Sequence, residues 1–424
     1  MTTPVDPVAS PAARANLTEW KQGWPVVLGA ACGLGTGISL YLLIASIFIQ
    51  PIVAAFGWSR GDLGIGGMIS FITGALCFPV IGRCVDRFGF RPVAIVCALG
   101  LSAVYVATAL QPGWYGFYLA LMVVGGVFGG GTASIVYARP VVATFKHQRG
   151  LALGLATAGT AITAIIAPPL LAHVIDDYGW RAGFFALAAL TGAIGLPTAL
   201  ALIGRAREAA ASAADEVSHI SVRDVSLREA LRGPRLWLLV TAIVAINLPG
   251  SGVLGQLAPL VADRGLSEDE VALVMSVYAV GLLLGRVLTG MALDRLPVSL
   301  VGFLTTLTPA LGIVMLLTPA PSFALAALAV AMIGMQQGAE VDLFAYVVSH
   351  SFGVKNFSSI YGVVIMAGAF STAVALVTFG KVHDATGSYD IALIIGAVCF
   401  CAGALAFLAL GRVRAAVVAA PAAD

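Results

Sequence analysis

Gly82-Arg83-Cys84-Val85-Asp86-Arg87-Phe88-Gly89-Phe90-Arg91 separates two long apolar stretches, and its core returns as Gly290-Met291-Ala292-Leu293-Asp294-Arg295. The shift from 82 to 290 is 208 residues. The same shift carries Gly57-Trp58-Ser59 onto Gly265-Leu266-Ser267, Gly154 onto Gly362, and Asp176 with Gly179 onto Asp384 with Gly387. One constant offset across several segments marks a duplicated chain. Each copy contains six apolar stretches, so the expected architecture is all-α: twelve membrane helices in two pseudo-symmetric six-helix bundles. Repeats of this kind place a binding site near the bilayer midplane, between the halves.

Composition agrees with that reading. The 424 residues are 59% hydrophobic and 10% charged, with mean hydropathy +0.98. Soluble domains carry about 25% charged residues. A span needs roughly 20 apolar residues, and stretches of that kind fall near 24–50, 62–84, 91–111, 115–144, 150–174, 181–204, 236–262, 270–292, 298–319, 322–350, 358–380 and 389–411. The expected organisation is a disordered tail over 1–20, a first bundle over 21–204, a polar linker over 205–235, a second bundle over 236–411 and a tail over 412–424. The N-terminus lacks the short apolar core and cleavage site of a secretory signal. A net charge of +2 without a Lys/Arg-rich run gives no footing for nucleic acid. The six cysteines form no metal-ligand array, and their side chains read as small packing residues. Phosphate-binding loops, nucleophile elbows and zinc motifs are absent from the sequence, so neither an ATP-driven pump nor a membrane enzyme is expected, and no cofactor or metal.

Basic residues set the expected orientation. With the N-terminus inside, cytoplasmic segments receive Arg14, Lys21, Arg83, Arg87, Arg91, Lys146, Arg149, Arg295, Lys355, Arg412, Arg414 and the linker arginines. Outer loops receive only Arg60, Arg181, Arg264 and Lys381. Both termini are therefore expected in the cytoplasm, with the protein multi-pass in the cell (inner) membrane.

Residues 82–91 resemble the loop signature of the major facilitator superfamily, with Gly290–Arg295 as its degenerate copy. The resemblance covers essentially the whole chain and implies that Gly82, Asp86, Arg87, Arg91, Asp294 and Arg295 are gating residues. Within the superfamily three stretches resemble the monocarboxylate and oxalate/formate carrier branch: Gly23-Trp24-Pro25-Val26-Val27, Phe56-Gly57-Trp58-Ser59-Arg60 and Arg149-Gly150-Leu151-Ala152-Leu153-Gly154. Gly285-Arg286-Val287-Leu288-Thr289-Gly290 is similar to that branch's arginine-bearing span 8, where the arginine binds the substrate carboxylate. Three departures matter. Leu282 stands where animal-type carriers have an acid, span 1 has no lysine, and span 11 lacks the second cation of oxalate carriers. Oxalate is thereby disfavoured, and the animal-type coupling arrangement does not transfer.

Four charges inside the spans carry the chemistry, because an ionisable group at mid-bilayer is costly and usually marks a substrate or proton pathway. Arg286 presents a planar guanidinium that can hold a carboxylate through two parallel hydrogen bonds; the competing reading is a permanent ion pair. Arg139, in Tyr137-Ala138-Arg139-Pro140, is the second substrate-binding candidate, though it lies roughly 10 Å from the polar end at 1.5 Å per residue. Glu340 and Asp342 are the proton-coupling candidates. They are two residues apart, about 200° around a helix, and cannot face the same way. The repeat maps Arg139 onto Val347, on the Glu340 face, so Arg139 and Glu340 are expected to line one cavity, with Asp342 buried beside Tyr346. The alternative is charge compensation of two acids by two arginines. The histidines and the tyrosines Tyr41, Tyr137, Tyr278 and Tyr361 read more simply as interface or packing residues. The glycine runs of spans 1 and 4 read as sites of close helix contact.

The leading expectation is a secondary carrier working by alternating access, moving a small monocarboxylate or related organic anion with protons, and functional as a monomer. Proton-driven export of amphipathic cations and a non-transporting nutrient receptor are the rival readings.

Overall fold

The computed structural model describes residues 11–213, 224–319 and 321–412. The first half comprises α1 (Pro11–Gly35), α2 (Ile38–Phe56), α3 (Arg60–Phe88), α4 (Phe90–Leu110), α5 (Tyr115–Gly130), α6 (Ser134–Thr144), α7 (Arg149–Tyr178), α8 (Trp180–Ala189) and α9 (Leu196–Ala213). A π-helical stretch, Leu190–Gly195, joins α8 to α9. The second half comprises α10 (Leu227–Arg232), α11 (Pro234–Gly255), α12 (Leu257–Ala262), α13 (Glu268–Leu293), α14 (Val298–Leu316), α15 (Phe323–Phe352), α16 (Phe357–Thr386) and α17 (Asp390–Arg412). No strand occurs among the described residues. Eleven helical stretches are long and apolar enough to cross a membrane. The broken pair α1–α2 is the twelfth span.

One expectation at the chain's polar segments changes, and the linker gains detail. The N-terminal tail is helical from Pro11, continuous with the first span, and residues 1–10 lie outside the described residues. The linker is partly helical, since α9 runs to Ala213 and α10 occupies Leu227–Arg232; residues 214–223, His219 among them, lie outside the described residues. The tail residues 413–424 also lie outside.

The duplication is visible in local geometry. Ser59 and Ser267, one repeat apart, each close a capping box: Asp62 and Glu270 donate their backbone N–H to the serine hydroxyl and accept the serine N–H at 2.8 and 2.9 Å. Each box satisfies two N–H groups that a helix start otherwise leaves open. Gly57 with Gly265, and Gly179 with Gly387, all have positive φ, which a side chain would strain.

The first half departs from the second at mid-membrane. Span 1 breaks at Thr36-Gly37, span 4 breaks between α5 and α6, and the two breaks touch. Ile38 donates its N–H to the Thr132 hydroxyl at 2.9 Å, and a Cβ on Gly37 would lie 2.8 Å from the Thr132 carbonyl oxygen. The Thr36 carbonyl is taken by the Thr191 hydroxyl at 2.6 Å, from the π-helical stretch. Backbone groups freed by a break need such partners, because lipid offers none. The repeat-related regions of α11 and α15 are continuous helix.

Across the halves, α3 packs along α16 and α7 along α13, while α13 and α15 pack within the second half. Glycines allow the α13–α15 approach: a Cβ on Gly281 would lie 2.6 Å from the Ala331 carbonyl oxygen, and one on Gly334 2.5 Å from that of Tyr278. Gly338 lies against Leu282 in the same way. This register, carried one turn further, sets Arg286 level with Asp342.

Candidate functional site

The four intramembrane charges fall into three separate places. At the end of the molecule that carries Asp86 and Asp294, the two halves are joined. Asp86, at the last turn of α3, accepts the N–H groups of Ser358 and Ser359 at 3.2 and 2.7 Å, and the Ser359 hydroxyl at 2.5 Å. Asp294, just after α13, accepts the N–H groups of Gly150 and Leu151 at 2.7 and 2.9 Å. The repeat offset of 208 takes Asp86 to Asp294, Gly150 to Ser358 and Leu151 to Ser359. Each carboxylate therefore caps the positive end of a helix in the opposite half. The approach depends on small residues, since a Cβ on Gly290 would lie 2.6 Å from the Gly150 carbonyl oxygen. On the other pair, a Cβ on Gly82 would collide with the Ser358 carbonyl. Arg149 adds a cross-half bond to the Ser349 hydroxyl at 3.2 Å.

Arg139 belongs to this junction. Its Nη1 donates to the Asp86 carboxylate at 2.7 Å and to the Val85 carbonyl at 2.6 Å. The structure thus places Arg139 away from Arg286, and it does not share a cavity face with Glu340. The physical reason is that α6 starts afresh after the span 4 break, within reach of a buried carboxylate one helix away. In the second half Val347 stands at the repeat-related position, so Asp294 has no equivalent arginine. Of the remaining motif residues, Arg87 lies over the Phe88 ring at 5.2 Å and Arg91 packs against Gly204. Arg295 is exposed, and these three arginines make no ion pair among the described residues.

Arg286 and Asp342 form the second place, at the α7–α13–α15 contact. Thr157 joins them: its hydroxyl lies 3.0 Å from both Asp342 carboxylate oxygens, and its carbonyl accepts from Arg286 Nη1. Nη1 also donates to the Thr160 hydroxyl at 2.9 Å. The Nε and Nη2 donors of Arg286 have no acceptor among the described residues, and the side chain is half-buried. Asp342 is fully buried. Gly154 makes room for the pair, since a Cβ there would lie 2.7 Å from the Arg286 carbonyl oxygen.

Glu340 occupies the third place, turned toward α11 and α16. Asn247 Nδ2 donates to one carboxylate oxygen at 2.5 Å and Gln337 Nε2 to the other at 3.3 Å. Asn247 Oδ1 accepts from Thr372 at 3.0 Å, and Thr372 meets Ser251 at 2.9 Å. No cation bonds Glu340 among the described residues. Glu340 and Asp342 thus lie on opposite sides of α15, as their spacing requires.

Sequence reasoning missed Thr157, Thr160, Asn247 and Thr372. A buried Asn in the apolar run Ala245-Ile246-Asn247-Leu248 was a usable signal, since an unpaired amide is costly in a membrane. The threonines had none, because a threonine in a span can bond its own helix carbonyls. Among the described residues no group of three or more His, Cys, Asp or Glu could hold a metal ion.

A family model described as "Major Facilitator Superfamily" matches residues 28–376. Human "Monocarboxylate transporter 11" is 27% identical over 412 residues, covering 92% of this chain and 83% of the relative. "Monocarboxylate transporter 13" of Rattus norvegicus is 26% identical over 408 residues, covering 90% and 87%. Among solved structures, the E. coli fucose:proton symporter superposes with a TM-score of 0.66 at 15% identity, covering 90% of this chain and 97% of that one. A bacterial homologue of the iron transporter ferroportin gives 0.70 at 12%, covering 92% and 99%. The duplicated helical halves, the motif and these matches together place the chain in the major facilitator superfamily, as a membrane transporter that resembles the monocarboxylate branch.

Proposed function

We propose that this protein carries a small monocarboxylate or related organic anion together with a proton, by alternating access of its two halves. The observation that carries the reading is the Arg286 guanidinium, held through Nη1 alone while Nε and Nη2 stay without an acceptor among the described residues. Those two parallel donors match the two oxygens of a carboxylate. The names of the relatives support the substrate class.

Glu340 is assigned as the proton carrier, because its carboxyl is bonded by amides and by no cation, and a proton on it removes the charge that burial penalises. Asp342 is assigned as the counter-charge that holds Arg286 between substrates, and Arg139 as a gate residue. The positive-inside distribution assigns the motif end and both termini to the cytoplasm of a cell whose inner membrane holds the protein. On that assignment the end closed by Asp86 and Asp294 is the cytoplasmic one.

The test is uptake of labelled lactate, pyruvate, acetate, benzoate and a dicarboxylate into proteoliposomes, with and without an acidic exterior, for wild type and Arg286→Ala. Gradient-driven monocarboxylate uptake that the variant loses is the expected result. No uptake of any of these anions would overturn the substrate class.

A further inference from the structure

Each gate helix is capped twice. The N-terminal region of α7 gives Asp294 the N–H groups of Gly150 and Leu151, and gives a second carboxylate, Glu19 on α1, those of residues just before the helix. Glu19 accepts from Lys146 at 2.5 Å, from His147 at 3.2 Å and from Gln148 at 3.0 Å. On α16 the arrangement repeats: Asp86 takes Ser358 and Ser359, while Asp224, in the linker before α10, takes the N–H of Lys355 at 3.2 Å. Lys355 is the repeat partner of His147. The next residue along repeats the pattern too. Trp20 Nε1 donates to the Gln148 side chain, and the Val225 carbonyl accepts from the side chain of Asn356, the repeat partner of Gln148, at 3.0 Å. Val225 also donates its N–H to the Phe352 carbonyl at 3.1 Å, and Trp20 packs on Phe145 with ring centroids 5.0 Å apart.

Glu19-Trp20, early in α1, and Asp224-Val225, in the linker just before α10, thus make equivalent contacts near the start of each half. They do not obey the 208 offset, being 205 apart, so the repeat in sequence does not disclose them. Unlike Asp86 and Asp294, both stay within their own half, and nothing in their bonds must break when the halves part.

We infer that Glu19 and Asp224 are positioning residues of the gate, holding the 146–151 and 355–359 segments in the form that Asp294 and Asp86 can grip. Without them, closing the gate must also order a loop, and that entropy opposes closure. A competing electrostatic effect has the opposite sign. Glu19 and Asp294 are like charges on one helix end, and the charge of Glu19 adds to the burial that raises the Asp294 carboxyl. Glutamine and alanine at position 19 separate the two effects, since glutamine keeps an acceptor and loses the charge.

The experiment reads gate opening as a distance, so it does not depend on the substrate assignment. Spin labels replace Phe88 and Leu296, which are exposed, one repeat apart and in opposite halves, in a chain whose six native cysteines are serines. Glu19→Ala and Asp224→Ala are expected to raise the long-distance, open population roughly tenfold, the scale of one charge-assisted bond. Glu19→Gln and Asp224→Asn are expected to move it far less, and thermal melting of the glutamine and asparagine variants serves as the folding control. Distances unchanged in both alanine variants would overturn the inference. So would a shift toward the closed distance shared by Glu19→Ala and Glu19→Gln, which would leave only charge repulsion.

Discussion

Asp86 and Asp294, one repeat apart, each accept two backbone N–H groups from the start of a helix in the opposite half, but only Asp86 also holds an arginine. The junction between the halves is therefore symmetric in its backbone and asymmetric in its charge. Asp86 brings a carboxylate already paired with Arg139, whereas Asp294 is bonded by N–H groups alone among the described residues.

The extra bond across the halves, from the Ser359 hydroxyl to Asp86, sets the expected order of two variants. Asp86→Ala removes two N–H bonds and a serine hydroxyl bond that cross between the halves, and should cost the closed form about 3 kcal/mol, against about 2 kcal/mol for Asp294→Ala. The distance measurement between positions 88 and 296 gives both populations. Equal effects would show that the Ser359 hydroxyl bond adds nothing to closure.

Acidity at the motif face should bias the gate through Asp294. Burial raises this carboxyl above the ordinary value, and Glu19 raises it further, while the Leu151 and Gly150 N–H groups and Arg149 pull it down. Opening that hydrates Asp294 returns its carboxyl toward the ordinary value. The closed form then binds the proton more tightly, so this contribution to closure is fully present below the ordinary pKa. It is lost as pH rises through the raised one. A pH series starting near about pH 4 should show the closed fraction falling with pH, and Asp294→Asn should flatten that dependence.

Arg286→Lys keeps the charge but removes the fork. Uptake at low substrate concentration is expected to fall by about ten- to a hundredfold, with Arg286→Ala lower still. A lysine variant with unchanged apparent affinity would mean that Arg286 acts as a point charge rather than as a bidentate clamp.

The two buried acids should separate by assay. Glu340→Gln is expected to abolish accumulation driven by a proton gradient while leaving substrate counterflow, because its amide network remains. Asp342→Asn is expected to impair both, since Thr157 and Arg286 lose their shared charge. Gradient-driven accumulation by Glu340→Gln would remove the coupling role.

A small steric change should open the gate without touching any charge. A Cβ on Gly290 meets the Gly150 carbonyl oxygen at 2.6 Å, backbone against backbone, where nothing flexible can yield. Gly290→Ala should therefore shift labelled molecules toward the long distance, and a variant as closed as wild type would show that the helices have slack.

Much of this architecture is a property of the chain alone. The twelve apolar stretches, the 208-residue offset that pairs Ser59 with Ser267, and the opposed faces of Glu340 and Asp342 follow from composition and from spacing along the chain. The partners of the charges do not. Arg139 was expected beside the substrate, yet it pairs with Asp86, because a break in span 4 resets the phase of α6 and no periodicity carries across it. The α13–α15 glycine contacts decide which of two acids meets Arg286. The contacts of Glu19 with the α6–α7 loop depend on how α1 lies against that loop. Hydropathy and local capping act within a few residues and so can be read in order. Contacts between charges on different helices, such as Arg139 and Asp86, 53 residues apart, depend on which faces pack together, and only the tertiary structure decides that.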